Sequence, residues 1–402
     1  MIIYPVQSLA GHDRVDDLIR ASRTWDKNEP VQLDFDGLRT IYPNGAVPFA
    51  ATINHLRGQG FSIHSTNLRP AHAKVHAVNP MTIDKFVRYE TPLTHNVWAY
   101  RDETEAQQLA TKFMEALTDQ VACEAGVIDA LNWCLYEVLD NVFQHSGASE
   151  GFVMMQLHAR ERKCAIAVSD TGIGIQRSLM NATTSAHVDL ERVRQAHLAI
   201  EHAAQAGVTS KGKLNQGNGL HGLRRSVEIN GGRLAIRSGR GLWAISAGIT
   251  TANTDLTRPV VDAESHQSTT VDWQLDCGSP VSINDALGTT NQGGELLESI
   301  EVGPGHYRVN AAEIEASIGS RVKGSEIRVR INNYLAAGAE QIVIDLSQVG
   351  VVSSSFADEV LGKLASEMGE LAFRRRIFVD GASPTNRSLI ERAIELRLAT
   401  GL

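Results

Sequence analysis

A chain of 402 residues, 43% hydrophobic and 21% charged, carries enough apolar material for two or three folded domains. Its formal net charge of -8 gives no bulk argument for nucleic-acid binding. Cys123, Cys134, Cys164 and Cys277 form no C-x-x-C pair and no Cys/His cluster with metal-ligand spacing, so reduced structural cysteines are expected.

The N-terminus has no basic stretch leading into an apolar core, since Asp13 and Arg14 arrive early. No apolar run approaches the roughly 20 residues of a membrane helix. A soluble, cytoplasmic protein with no membrane partner is the expectation.

Three regions separate by pattern. Residues 1–90 hold a strand-like run, Val31-Gln32-Leu33-Asp34-Phe35, and a loop at Pro43-Asn44-Gly45. A helical stretch near 47–56 and a second strand near Phe61-Ser62-Ile63 follow. This predicts a small N-terminal α/β domain.

Residues 91–278 contain the chemistry. Over 128–143, apolar side chains recur at Leu131, Leu135, Val138 and Val142, which makes one buried helical stripe. Glu137 and Asn141 are one turn apart on a flank roughly 100° from that stripe. An amide oxygen there suits Mg²⁺, and a neighbouring carboxylate can polarise an attacking water. By itself the pair reads more readily as a solvated polar face, because Glu-x-x-x-Asn is a common spacing.

Next, Cys164-Ala165-Ile166-Ala167-Val168-Ser169 reads as a buried strand that ends in Asp170-Thr171-Gly172-Ile173-Gly174. Asp170 can accept a hydrogen bond from an exocyclic amine, and the two glycines let backbone approach a ligand. A tight turn with a capping Asp is the plain alternative.

The third piece is Gly217-Asn218-Gly219-Leu220-His221-Gly222, which opens a helix. Free N–H groups and the positive helix end make a phosphate cradle there. No Gly-Lys-Ser/Thr follows, so it is not a Walker A loop. A polar stretch at 250–269 reads as an exposed insertion.

Residues 279–402 begin with a loop rich in Gly, Asn, Ser and Thr. A buried strand, Gln341-Ile342-Val343-Ile344-Asp345-Leu346, leads to Ser353-Ser354-Ser355 and a helical stretch over 356–368. A strand at Arg376-Ile377-Phe378-Val379 and a helix over 384–398 complete an α/β pattern. The final helix carries an apolar stripe of Ile390, Ala393, Ile394 and Leu396.

Glu-x-x-x-Asn on a helix, then strand–Asp-x-Gly-x-Gly, then Gly-x-Gly-x-x-Gly, in that order, resembles the GHKL (Bergerat-fold) family. That family includes DNA gyrase, MutL, bacterial histidine kinases and anti-sigma-factor serine kinases. The resemblance covers residues 92–277 and implies ATP and Mg²⁺ as ligands. It implies Glu137 as general base, Asn141 as the Mg²⁺ ligand and Asp170 as the adenine acceptor. Gly172 and Gly174 would hinge a lid spanning 176–216, built around a long helix at 188–206. Gly217, Gly219 and Gly222 would contact the phosphates. Lys211 or Lys213 would reach them from the lid. Thr269 or Thr270 would stand near adenine, and Thr270 is the position assigned.

Residues 344–355 and the helix after them resemble STAS-like domains, with Ser354 or Ser355 at the family's phosphoacceptor position; an N-cap explains the same serines. Region one shares a weak likeness to this pattern and is a second STAS-like candidate. The expected fold is α/β, a Bergerat-fold α/β sandwich flanked by small STAS-like domains, over 1–90, 91–278 and 279–402.

Of the upstream histidines His12, His55, His64, His72 and His76, none sits in a phosphoacceptor context, which argues against histidine autophosphorylation. The functional expectation is an ATP-binding regulatory protein, a slow Mg-dependent ATPase switch coupling nucleotide state to a homodimer or partner contact in bacterial signalling. The alternative is an anti-sigma-type serine/threonine protein kinase acting on a STAS-domain partner.

Overall fold

The structure, a computed structural model, describes residues 1–66, 79–83, 92–181, 188–205, 219–262, 264–282, 286, 301–303, 305–310, 321–336, 338–347, 349 and 352–400. It divides into two compact units, Met1–Leu287 and Gly288–Leu402.

The first unit opens with β1 (Ile2–Pro5), β2 (Ser8–Leu9), α1 (Asp13–Ser22), β3 (Val31–Asp34), β4 (Thr40–Ile41), α2 (Pro43–Gly58) and β5 (Ile63–Thr66). β1, β3 and β5 form a parallel sheet with β3 in the middle. Pro43-Asn44-Gly45, expected as a loop, is instead the first turn of α2. Proline suits that turn, where the missing N–H would have no partner and its φ is already helical.

The chain then forms β6 (Trp98–Tyr100), α3 (Glu103–Gln120), α4 (Val127–Asn141), β7 (Gly151–His158) and β8 (Lys163–Asp170). α5 (Ile175–Met180), α6 (Leu190–Val193), α7 (Ala196–Ala203) and α8 (Gly219–Asn230) follow. β9 (Arg233–Ser238), β10 (Gly241–Ser246), β11 (Ile249–Thr254) and β12 (Thr269–Asp276) complete the set. The large sheet is antiparallel throughout, in the order β11-β10-β9-β12-β8-β7-β6.

Both faces of this sheet are covered, so β8 reads as a continuous apolar run rather than an alternating one. Cys164, Ile166 and Val168 face α3, α4 and α8 on the front. Phe152, Met154 and Ala167 face the back, where α2 covers them. α2 buries Val47, Phe49, Ala50, Ala51 and Ile53 because it is wedged between the small sheet and the large one. Residues 1–66 therefore share a core with the large sheet.

Two local expectations change. The long helix expected over 188–206 is two short helices, α6 and α7, separated by extended backbone at Gln195. α7 packs on β10 with Ile200 fully buried, so this part of the expected lid is seated on the sheet. The polar stretch at 250–269 begins as the exposed edge strand β11, but Arg258 and Val260 return to the interior.

The second unit has β13 (Glu301–Gly303), β14 (His306–Asn310), α9 (Arg321–Ala336), β15 (Gln341–Asp345), α10 (Ser354–Ala357), a π-helical turn (Asp358–Gly362), α11 (Lys363–Met368), α12 (Glu370–Arg376), β16 (Ile377–Asp380) and α13 (Pro384–Thr400). β14, β15 and β16 are parallel, with β13 antiparallel at one edge. Ile390 and Ala393 of α13 close the unit's own core, while Leu396 stays exposed. No described helix is long and apolar enough to cross a membrane.

Candidate functional site

α4 supplies the first two groups. Its stripe of Leu131, Leu135, Val138 and Val142 is buried, as the spacing predicts, and Glu137 and Asn141 are half-buried on the flank. The helix does not stop at Asn141. It continues as a π-helical turn, Val142–Ser146, and ends at Gly147 with φ +69°. Such turns occur frequently at functional sites.

Ser146, which the sequence did not single out, joins this turn to the next segment. Its Oγ donates to Val142 O at 2.6 Å and accepts the Ala148 N–H at 3.0 Å. Its carbonyl accepts the Ile173 N–H at 2.9 Å. The partner at Ile173 was not visible in sequence.

β8 delivers Asp170, only 5% exposed, to the same place. Asp170 Oδ1 accepts the Gly172 N–H at 2.8 Å. Burial pushes its carboxyl up to about 7, against the opposing pull of hydrogen bonds from Gly172 and Ser146. A ligand N–H is the kind of partner this carboxylate lacks.

Gly172 is required by close approach: a β-carbon there would stand 2.2 Å from Ser146 O. Gly174 takes φ +80° and caps α5, whose first N–H, from Ile175, donates to Ser238 Oγ at 2.7 Å. Ser238 and Gln267 are also unanticipated members of this wall. The Gln267 N–H donates to Gly172 O at 2.9 Å.

The helix start of the third motif faces Glu137. A β-carbon on Gly219 would stand 2.6 Å from Glu137 Oε2. The N-terminal N–H groups of a helix lack intrahelical partners, so a carboxylate and potential phosphate donors are adjacent here. Gly222 is buried in the same turn. Gly217, Lys211 and Lys213 lie outside the described residues, as do His72 and His76.

Thr270 requires a correction. It pairs with Ser169, and its Oγ1 lies 2.9 Å from Ser169 Oγ and 3.5 Å from His12 Nε2 on the back of the sheet. Thr269 pairs with Asp170 and bonds Ser238 Oγ at 3.0 Å on the front. Paired residues in an antiparallel ladder share a face and neighbours alternate, so Thr269 is the threonine beside the Asp170 site.

In the second unit the helix start is capped by Ser353, whose Oγ accepts the Phe356 N–H at 3.0 Å. Ser354 is the first residue of α10.

Residues 126–272 match the family of histidine kinase-, DNA gyrase B-, and HSP90-like ATPases. That interval spans all three motifs, from Glu137 to Gly222. Residues 323–387 match a STAS-like domain of unknown function. No curated protein matches the chain at a significant level. The family match supports ATP binding by this domain. The chain thus joins a GHKL-type histidine kinase-like ATPase domain to a following STAS-like domain, within the α/β class.

Proposed function

We propose that this protein is a slow, Mg-dependent ATPase switch whose nucleotide state alters a dimer or partner contact in bacterial signalling. The observation that carries the reading is the contact between Glu137 and the first residue of α8, Gly219. A carboxylate beside the start of a helix, where N–H groups lack intrahelical partners, supports a role near a γ-phosphate, where Glu137 would take a proton from the attacking water.

Asp170 would accept the adenine amine, with Thr269 beside it. Gly172 and Gly174 would let backbone close around the base and sugar. Gly217, Gly219 and Gly222 would donate backbone N–H groups to the phosphates, helped by Lys211 or Lys213. Asn141 would offer its amide oxygen to Mg²⁺. Among the described residues its side chain has no hydrogen-bond partner, and amide oxygen is a hard donor of the type this cation prefers, so the residue fits the ion. When bound, the cation screens phosphate charge. The STAS-like domain supports a regulatory rather than metabolic role.

ADP release from the full chain, with Mg²⁺ and with chelator, tests the proposal. Slow, Mg-dependent release is expected. γ-Phosphate appearing on a serine of an added STAS-domain protein instead would move the reading to a protein kinase. No ATP binding at all would overturn both.

A further inference from the structure

Behind the sheet lies a second polar cavity, between α1, α2 and the loop that leads into β12. Its lining includes His12, Asp16, Ser169, Arg237, Arg258 and Thr270. Thr270 and Ser169 face it on the side of the sheet away from Asp170.

Its charge is unusual for an interior. Arg258 is 7% exposed. One of its N–H groups donates to Gly241 O at 3.1 Å, and its Nε stands 4.0 Å from the Asp16 carboxylate, beyond hydrogen-bond length. Arg237 makes no hydrogen bond among the described residues through its side chain. It lies within electrostatic reach of Arg258, Asp13, Asp16 and Asp272. Asp16 is the one carboxylate among the lining residues, against two guanidiniums.

A guanidinium carries five N–H donors, and the two here have donors left over for a ligand that enters the cavity. His12 adds no charge of its own and reflects the positive field around it. Burial, with Arg237 and Arg258 close by, pushes it down to about 3, so it stays neutral at physiological pH. The Thr270 hydroxyl adds an adaptable donor, while the Ser169 hydroxyl donates to Thr269 O at 3.0 Å.

We propose that this cavity binds a small oxyanion, one phosphate or carboxylate group, held by Arg237 and Arg258 with help from Thr270. Paired guanidiniums match the geometry of such oxygens, and desolvation strengthens the contact. The proposal does not rest on the nucleotide reading: the cavity lies on the opposite face of the sheet and uses none of the Asp170, Glu137 or glycine groups, and Gln267 and Ser268, whose N–H groups donate to Gly172 O, border both. Its occupant would touch α1 and α2, and so would stabilise the seating of the N-terminal region on the sheet.

Calorimetric titration of the full chain with inorganic phosphate, and separately with acetate, tests this. Saturable binding of at least one is expected, and the stronger of the two identifies the source of the oxyanion. Arg237→Gln should weaken it about 10–150-fold, the range for one charge-assisted contact. Asp16→Asn should tighten it by removing the opposing carboxylate. Asp170→Asn should leave it unchanged, and Arg237→Gln should leave ATP affinity unchanged, which separates this site from the nucleotide site. Absence of saturable binding of either anion overturns the proposal. So does binding lost in Asp170→Asn, or binding indifferent to both Arg237→Gln and Asp16→Asn.

Discussion

Glu137 and Gly219 meet across the α4–α8 contact, so closely that a methyl group on Gly219 would stand 2.6 Å from the Glu137 carboxylate. The obstruction is the far end of a flexible side chain, so Gly219→Ala should fold. In an α-helix alanine is favoured over glycine by about 1 kcal/mol, although the gain is smaller at a helix start. The expected result is unchanged or raised thermal stability with a marked loss of ATP turnover. Glu137→Ala should keep nucleotide affinity and lose about 100- to 10,000-fold in turnover, the usual contribution of a general base. Turnover within a few-fold of wild type in both variants would remove Glu137 from the chemistry.

Asp170→Asn separates binding from stability. One charge-assisted hydrogen bond to adenine is lost, so ATP should bind about 10–150-fold more weakly by calorimetry. The nucleotide-free protein should gain stability at pH 8. There the buried carboxyl, raised from an ordinary 3.8 to about 7, is held ionised at a cost that asparagine does not bear. A rise of roughly 2–8 °C in melting temperature is expected. A carboxyl whose folded value is raised binds more protons folded than unfolded. Its contribution to stability is therefore full below about 4 and is lost as pH climbs through about 7. Identical melting of wild type and Asp170→Asn at pH 8 would contradict the burial argument.

The same carboxyl predicts how binding depends on pH. Only the ionised form offers the adenine amine a charge-assisted acceptor. Affinity should therefore fall by about tenfold between pH 8 and pH 6 for a group titrating near 7. Ionisation of the ATP phosphates acts on every variant alike. Asp170→Asn is the control, and its pH profile should be flatter by that factor. Parallel profiles would assign the dependence to the nucleotide alone.

Register predicts a contrast between adjacent threonines. Thr269→Val removes a hydroxyl on the Asp170 face and should weaken ATP binding. Thr270→Val removes one that bonds Ser169 on the back face and should leave ATP affinity unchanged. Its expected effect is a loss of about 0.5–1.5 kcal/mol of stability, the usual net value of a hydrogen bond. The opposite ranking in calorimetry would show that the strand is offset by one residue.

What the sequence by itself determined were the local features. The apolar stripe of α4, the buried run of β8 and the glycine positions each express a period or a backbone permission that neighbouring residues set. Glu137, Asn141, Asp170, Gly172 and Gly219 were therefore legible as candidates, and their order along the chain named the family. The tertiary structure decided what depends on residues distant in sequence. Ser146 meets Gly172 and Ile173 only because the end of a helix and the end of a strand arrive together. The choice of Thr269 over Thr270 rests on ladder register, since a slip of one residue turns every side chain to the other face. The break at Gln195 and the return of Arg258 to the interior likewise follow from packing against the sheet. α2 looked like the helix of a separate small domain, yet its apolar sides pack both on its own sheet and on the back of the large one. No periodicity reports which surface an apolar face will cover; the chain settles that only when both surfaces exist, because burial rewards any complementary apolar partner regardless of its place in the sequence.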